Sequence, residues 1–326
     1  MPVSVVKNMS REMKKENFDH AFKLKEREEI RKRNIANYFL NQSKYHRPWM
    51  QELADRYKDG VRTGTVAAPL IPMAVLPSYY TGKKDKEIAA FAALHIASDG
   101  EFERIQAFRE LLGDSPWEWF QNRKFVKLSL GSLQDKRTGG VENWKIAKLM
   151  CKLWEGCHLF TYEIPVMKSK ESFLLSIGED VKRIVEEQRC SYFDALTYQL
   201  EDCCVGQFFY KLRLLLLVLG TGDGFGLNLW EIPKEQLQCP LAGGLRDFIQ
   251  TWFPDYRRFG GVDDAIRLFG FERECDFFYA WLGYKELQKR NPKECSLYAT
   301  RYQTWYDLGS RMKKYRWNGI QPKIPF

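Results

Sequence analysis

Apolar positions between Asp85 and Leu112 recur every three or four residues: Ile88, Phe91, Ala92 and Ile96, then, after Gly100, Phe102, Ile105, Phe108 and Leu112. That is the period of one helix face, and a glycine in mid-pattern interrupts a helix, so two helices meet at Ser98-Asp99-Gly100. Asp114-Ser115-Pro116-Trp117 then supplies a helix stop, an N-cap and a proline at the first helical position. Helical period is also present over 143–163, 173–189 and 191–219, without the Val/Ile/Thr alternation around Asn-Gly that marks strands. Turns follow at Glu231-Ile232-Pro233 and Pro240, then helices over about 242–252, from near Val262, and over about 273–290. Asn291-Pro292 ends the last of these, because the residue before proline avoids the α region. A final helix with Tyr298, Tyr302, Trp305 and Tyr306 leads to a basic tail.

Three stretches depart from this pattern. Residues 8–45 combine dense charge with a thin apolar stripe (Phe18, Phe22, Ile30, Ile35, Phe39), the pattern of a basic helical arm. Between Gly60 and Tyr80 the composition shifts to Gly, Thr, Ala and Pro around the apolar run 67–76, which predicts a loop crossing the surface or a cleft. Gly220 to Gly226 (GTGDGFG) lacks both the Gly-Lys-Ser/Thr ending of a Walker loop and the preceding strand of a Rossmann loop, so it reads as a helix C-cap and loop. The fold class expected is all-α, with an arm over 1–60 and a body over 61–326.

Charge and cysteine content narrow the classes of function. The chain carries 51 Lys and Arg against 42 Asp and Glu, a net charge of +9. Such a balance favours a polyanionic partner, since each neutralised phosphate releases a counterion. The eight cysteines, at 151, 157, 190, 203, 204, 239, 275 and 295, form no CxxC pair and have no histidine cluster at zinc spacing. They predict buried thiols in a reducing compartment, with no metal. The start is too charged for a secretory signal, and the apolar run Leu212 to Leu219, broken by Arg213, is too short to span a bilayer. A cytoplasmic protein with no membrane partner is the expectation.

The order of segments from Tyr210 to Tyr284 resembles a known family. A helix through Lys211 (YKLRLLLLVLG) precedes a glycine break, then LWEIPKEQLQCPL ending at Leu241, and later DFFYAWLGY from Asp276. Together with EIAAFAALHIASDGEFERI and GDSPWEWF upstream, this is similar to the helix-hairpin-helix DNA glycosylase superfamily, and more closely to a divergent bacterial branch of it. The similar segments span about 85–284 and match densely only at these islands.

The resemblance implies a two-lobed helical body, with lobes over about 61–190 and 191–326, that turns a base out of double-stranded DNA into a basic cleft. Trp117, Trp119, Tyr279 and Trp281 are the implied stacking candidates, and Arg246, Arg257, Arg258 and Lys285 the implied DNA contacts. Cleavage of an N-glycosidic bond builds positive charge on the sugar, which a carboxylate stabilises; a lysine of depressed pKa can attack the anomeric carbon directly. Lys211 stands where the family's lysine would. The family's aspartate does not: Ala242-Gly243-Gly244 follows Pro240-Leu241 in place of Asp-Thr-His. Asp247 and Asp99 are the leading substitutes, with Asp223 behind them. No iron-sulfur cluster is expected, because only Cys275 and Cys295 lie in the terminal part, and no other cofactor is implied.

Three activities fit these features. The first is a glycosylase that excises an unusual or modified base, a role suited to phage defence. The second is a non-catalytic DNA-binding relative. The third is an enzyme of base hypermodification acting on phage-type DNA, with a diphosphate site near Arg246, Arg257 or Arg258. An RNA-binding protein ranks last, since no aromatic-rich sheet motif is present.

Overall fold

The computed structural model describes residues 47–67, 69, 71–96, 102–156, 173–200, 208–252 and 262–293. These residues are mostly helical, as expected of the all-α class. The helices in chain order are α1 (47–62), α2 (Pro72–Ser78), α3 (Lys83–Ala92), α4 (Phe102–Leu112), α5 (Pro116–Gln121), α6 (Asn143–Gly156), α7 (Phe173–Gln188), α8 (Tyr192–Leu200), α9 (Phe208–Gly220), α10 (Gly243–Trp252), α11 (Val262–Phe269) and α12 (Glu274–Arg290). Among the described residues the strand content is one antiparallel pair, β1 (Arg137–Thr138) with β2 (Val141–Glu142), in which Arg137 faces Glu142.

Local chemistry accounts for several boundaries. Ser115 accepts a hydrogen bond from the Glu118 backbone N–H at 3.3 Å, and Pro116 occupies the first turn of α5, where its missing N–H costs nothing. The Asp85 carboxylate also accepts from the Trp117 N–H at 2.9 Å, tying the start of α5 to α3. The α9 helix ends at Gly220, and the glycine-rich stretch after it is a loop. Asn291 caps α12 immediately before Pro292.

The stretch expected to form a loop near 67–76 is a correction. Its apolar run builds α2, with Pro72 in the first turn, where proline is tolerated, and Met73, Ala74 and Leu76 buried. The α2 helix packs along α3 and touches α4 and α9, so burial outweighs a composition that on its own reads as a connection. The continuous helical stretch read over 191–219 is described as two helices, α8 and α9, with 201–207 outside the described residues.

One hydrophobic cluster runs through the described chain from Met50 to Trp281, drawing on both stretches expected to form separate lobes. Large side chains at its centre include Phe91, Phe108, Phe120, Phe125, Phe277, Phe278 and Tyr279, each contributing about 1.5–3 kcal/mol by leaving water. The α1 helix falls in the stretch expected to form the arm, and its described residues are bound into the body. Met50, Leu53, Ala54 and Tyr57 are buried, and Trp49 packs edge-on against Tyr284 of α12 at 6.5 Å. Gly283 permits this contact, since a side-chain carbon there would stand 2.6 Å from the Leu53 carbonyl oxygen. The remainder of the basic arm, Asp99, Arg257, Arg258, and the final helix with its basic tail lie outside the described residues.

Candidate functional site

Two buried groups of charge distinguish the interior. The first joins α1, the loop after α9, and α12. Asp276 is 3% exposed and accepts from Arg273 Nε and Nη2 at 3.0 Å, from Lys58 Nζ at 3.2 Å and from Gln51 Nε2 at 3.2 Å. Arg273 Nη1 reaches on to Asp223 at 2.8 Å. Burial alone would raise the Asp223 carboxyl, but the Arg273 hydrogen bond and charge outweigh it and hold the pKa below the ordinary aspartate value. Tyr279 donates to the Asp223 carbonyl oxygen at 3.0 Å. Each carboxylate has a cation and each cation a carboxylate, an arrangement that fixes three distant segments together.

The second group includes a residue in the first turn of α9. Lys211 is 6% exposed, and burial alone pushes its pKa from 10.5 down to about 8. No carboxylate offsets that burial among the described residues. His95, in the single 3-10 turn after α3, lies within electrostatic reach of it. Burial first, then the charges of Lys211 and Lys145, push the His95 pKa down to about 4, against a hydrogen bond to the Lys145 backbone that raises it. The ring is therefore neutral at pH 7, and its Nε2 is buried with no hydrogen-bond partner. By residue type, a weakly basic amine and an unpartnered imidazole nitrogen are a nucleophile and a proton acceptor, here within electrostatic reach of one another.

Those residues singled out from sequence that are described belong to several different elements. Arg213, two positions after Lys211, donates to the Cys239 carbonyl at 3.3 Å and to Asp263 of α11 at 2.7 Å. Two residues turn a helix by about 200°, so Lys211 faces away from α11 and towards His95. Asp247 and Arg246 are exposed on α10, which packs against α11 and α12. Lys211 is thus buried in α9, whereas Asp247 is exposed on α10. Asp223 belongs to the ion-paired loop. Tyr279 is fully buried and Trp119 nearly so, which makes both of them core residues. Trp117 is half-buried beneath Lys84 Nζ at 5.0 Å, and the exposed Lys285 caps the Trp281 ring at 4.8 Å.

Two interior polar residues escape a reading of the sequence. His95 lies in an apolar run, between Leu94 and Ile96, where a lone histidine signals a core position more often than a site. Glu87 is 0% exposed and accepts from the Trp230 indole N–H at 3.2 Å; its only mark in the sequence is a charge next to Ile88 on an otherwise apolar face. Cys239 and Cys275 are buried free thiols whose pKa values burial raises, that of Cys275 to about 12, so neither is a nucleophile at neutral pH. Among the described residues no group of His, Cys, Asp and Glu could hold a metal ion, and no helix is long and apolar enough to cross a membrane. No family model, curated protein or solved structure matches this chain.

Proposed function

We propose that this protein binds double-stranded DNA and excises an unusual or modified base, with Lys211 as the nucleophile. The observation that carries the reading is Lys211 itself: a buried amine with no carboxylate to hold its charge among the described residues, beside a neutral histidine. The resemblance of the segments around it to DNA glycosylases, and the net charge of +9, support DNA as the partner. In the reaction, the amine lone pair forms the N–C1′ bond as the C1′–base bond breaks. The base leaves with the bonding pair and takes up a proton from water, and the amine loses one to solvent or to the unpartnered His95 Nε2 within its electrostatic reach. The free thiols accord with a cytoplasmic setting.

The test is reductive trapping. Purified protein is incubated with duplex DNA carrying an abasic site, and with DNAs carrying modified bases, in the presence of borohydride. On the abasic duplex, Lys211 condenses with the sugar aldehyde, water is lost, and hydride reduces the resulting imine to a stable amine. An adduct mapped to Lys211 by mass spectrometry and lost in Lys211→Met is expected, with a yield that rises about tenfold from pH 7 to pH 9 as the amine deprotonates. No adduct and no released base at any pH in that range would refute the excision chemistry. Binding without chemistry would favour the non-catalytic relative, a reading to which the missing carboxylate at Ala242-Gly243-Gly244 and the exposure of Asp247 lend weight.

A further inference from the structure

The segment from Arg123 to Lys152 has a charge pattern unlike the rest of the described chain. In this stretch of sequence Arg123, Lys124, Lys127, Lys136, Arg137 and Lys145 stand among two acids, Asp135 and Glu142. Glu142 is already engaged, with Lys145 at 2.6 Å and Arg137 at 3.6 Å. Within this segment an open groove of about 540 Å³ is lined by Ser129, Gln134, Asp135, Trp144, Ala147, Lys148 and Cys151. Its volume lies in the range that accepts small organic ligands, roughly 300–1,000 Å³. Trp144 is 37% exposed in the wall, and Leu133 and Leu130 are 38% and 58% exposed beside it. This is where most of the large exposed apolar side chains of the described residues gather.

The groove is built in advance of any ligand. Asn143, 5% exposed, donates to the Leu133 carbonyl at 3.1 Å and accepts from Thr138 Oγ1 at 2.8 Å. The Trp144 N–H donates to the Gln134 carbonyl at 3.3 Å. The turn that forms one wall is thereby pinned to the first turn of α6, which carries the other, and an ordered platform spares a ligand the cost of arranging it.

We infer that this groove binds single-stranded nucleic acid, with a base stacked on Trp144 and its phosphates held by Lys124, Lys127 and Lys136, which lie close in sequence to its lining residues Ser129, Gln134 and Asp135. An intact duplex hides its base faces against one another and would gain nothing from the partly exposed Trp144 ring, which Lys145 Nζ overlies at 5.4 Å. A single strand offers both bare base faces and phosphates. An acidic peptide would satisfy the lysines but leave the ring uncovered. A membrane surface requires apolar groups that protrude, whereas Trp144 lines a concavity with Ser129, Gln134 and Asp135, polar groups suited to base edges. Asp135 on the wall repels phosphate, which directs the backbone to the rim and the bases inward. The inference goes beyond the excision chemistry and shares with it only a nucleic-acid partner.

The test is an anisotropy titration of the full chain with a labelled oligo(dT), with a duplex of the same length as comparator and with poly-glutamate and anionic phosphatidylserine vesicles as competitors. Oligo(dT) is expected to bind more tightly than the duplex. Trp144→Ala weakens it roughly 5- to 100-fold, and Trp144→Phe, which keeps a ring, retains most of the affinity. The triple change Lys124→Glu, Lys127→Glu and Lys136→Glu lowers the slope of log affinity against log salt by about 2, at about 0.7 for each single-strand phosphate contact. Circular dichroism verifies that each variant is folded. Equal affinity of wild type and Trp144→Ala, equal binding of duplex, or displacement by poly-glutamate or vesicles at matched charge would each overturn the inference. The readouts are separate. A protein that traps abasic DNA but shows no Trp144 dependence loses only the groove, and one that binds through Trp144 without trapping loses only the excision chemistry.

Discussion

Asp276 and Lys211 are almost equally deep, at 3% and 6% exposed, but their surroundings are opposite. Asp276 is met by Arg273, Lys58 and Gln51, so its charge is shared out over α1 and α12. Among the described residues no carboxylate offsets the burial of Lys211, and the neutral His95 feels its charge together with that of Lys145. Burial costs both groups their water, and only the first recovers it as ion pairs and hydrogen bonds. A paired buried charge works as a fastener. An unpaired one strains to lose its proton, and that strain is what gives an amine nucleophilic character at neutral pH.

The largest expected effect breaks the fastened side of this comparison. Asp276→Ala leaves Arg273 and Lys58 with part of their compensation removed and lowers the unfolding free energy by about 3–5 kcal/mol, read from denaturant titration. Lys211→Met does the reverse and stabilises the protein by roughly 3 kcal/mol at pH 7. Because the folded-state pKa, about 8, lies below the unfolded value of 10.5, that gain is complete below pH 8 and disappears as the pH rises to 10.5. Thermal melts of both proteins across this range check it, and a Lys211→Met protein that is less stable at pH 7 would mean that the amine is partnered after all.

His95 sharpens the comparison at the acid end. Its folded pKa, about 4, is depressed from 6.5, so the unfolded chain takes up a proton that the fold refuses. Stability is complete above pH 6.5 and falls by about 2 kcal/mol from this residue between pH 7 and pH 5; His95→Gln removes that part of the slope. The smallest effect concerns a surface cap. Ser115→Ala costs about 1 kcal/mol through the lost bond to the Glu118 N–H, with no dependence on pH between 6 and 9.

Helix positions were legible where local signals were strong. The α5 cap at Ser115-Pro116, the end of α9 at Gly220 and the end of α12 before Pro292 follow from residues adjacent in the chain. The α2 helix was not, because a short apolar run containing two prolines looks like a connection until α3 supplies the surface that buries it. Lys211 could be singled out because it stands where the resembling family's lysine would, and the fold buries it. Its neighbour could not, since His95 and Lys211 are more than a hundred positions apart and neither belongs to a spacing motif. Asp247 and Tyr279 show the converse. Their residue types suit chemistry or stacking, but α10 turns Asp247 to solvent and α12 turns Tyr279 into the core.

What the sequence by itself determined was the helical class, most helix ends in the described regions, and an excess of positive charge, all of which depend on residues within a turn or two of one another or on composition alone. Only the tertiary structure decided which charges are paired and which are not. Pairing Asp276 with Lys58, bringing Lys211 within electrostatic reach of His95, and setting Trp144 into a groove with Asp135 and Lys148 each depend on which helix faces meet, and that is a property of the packed core as a whole.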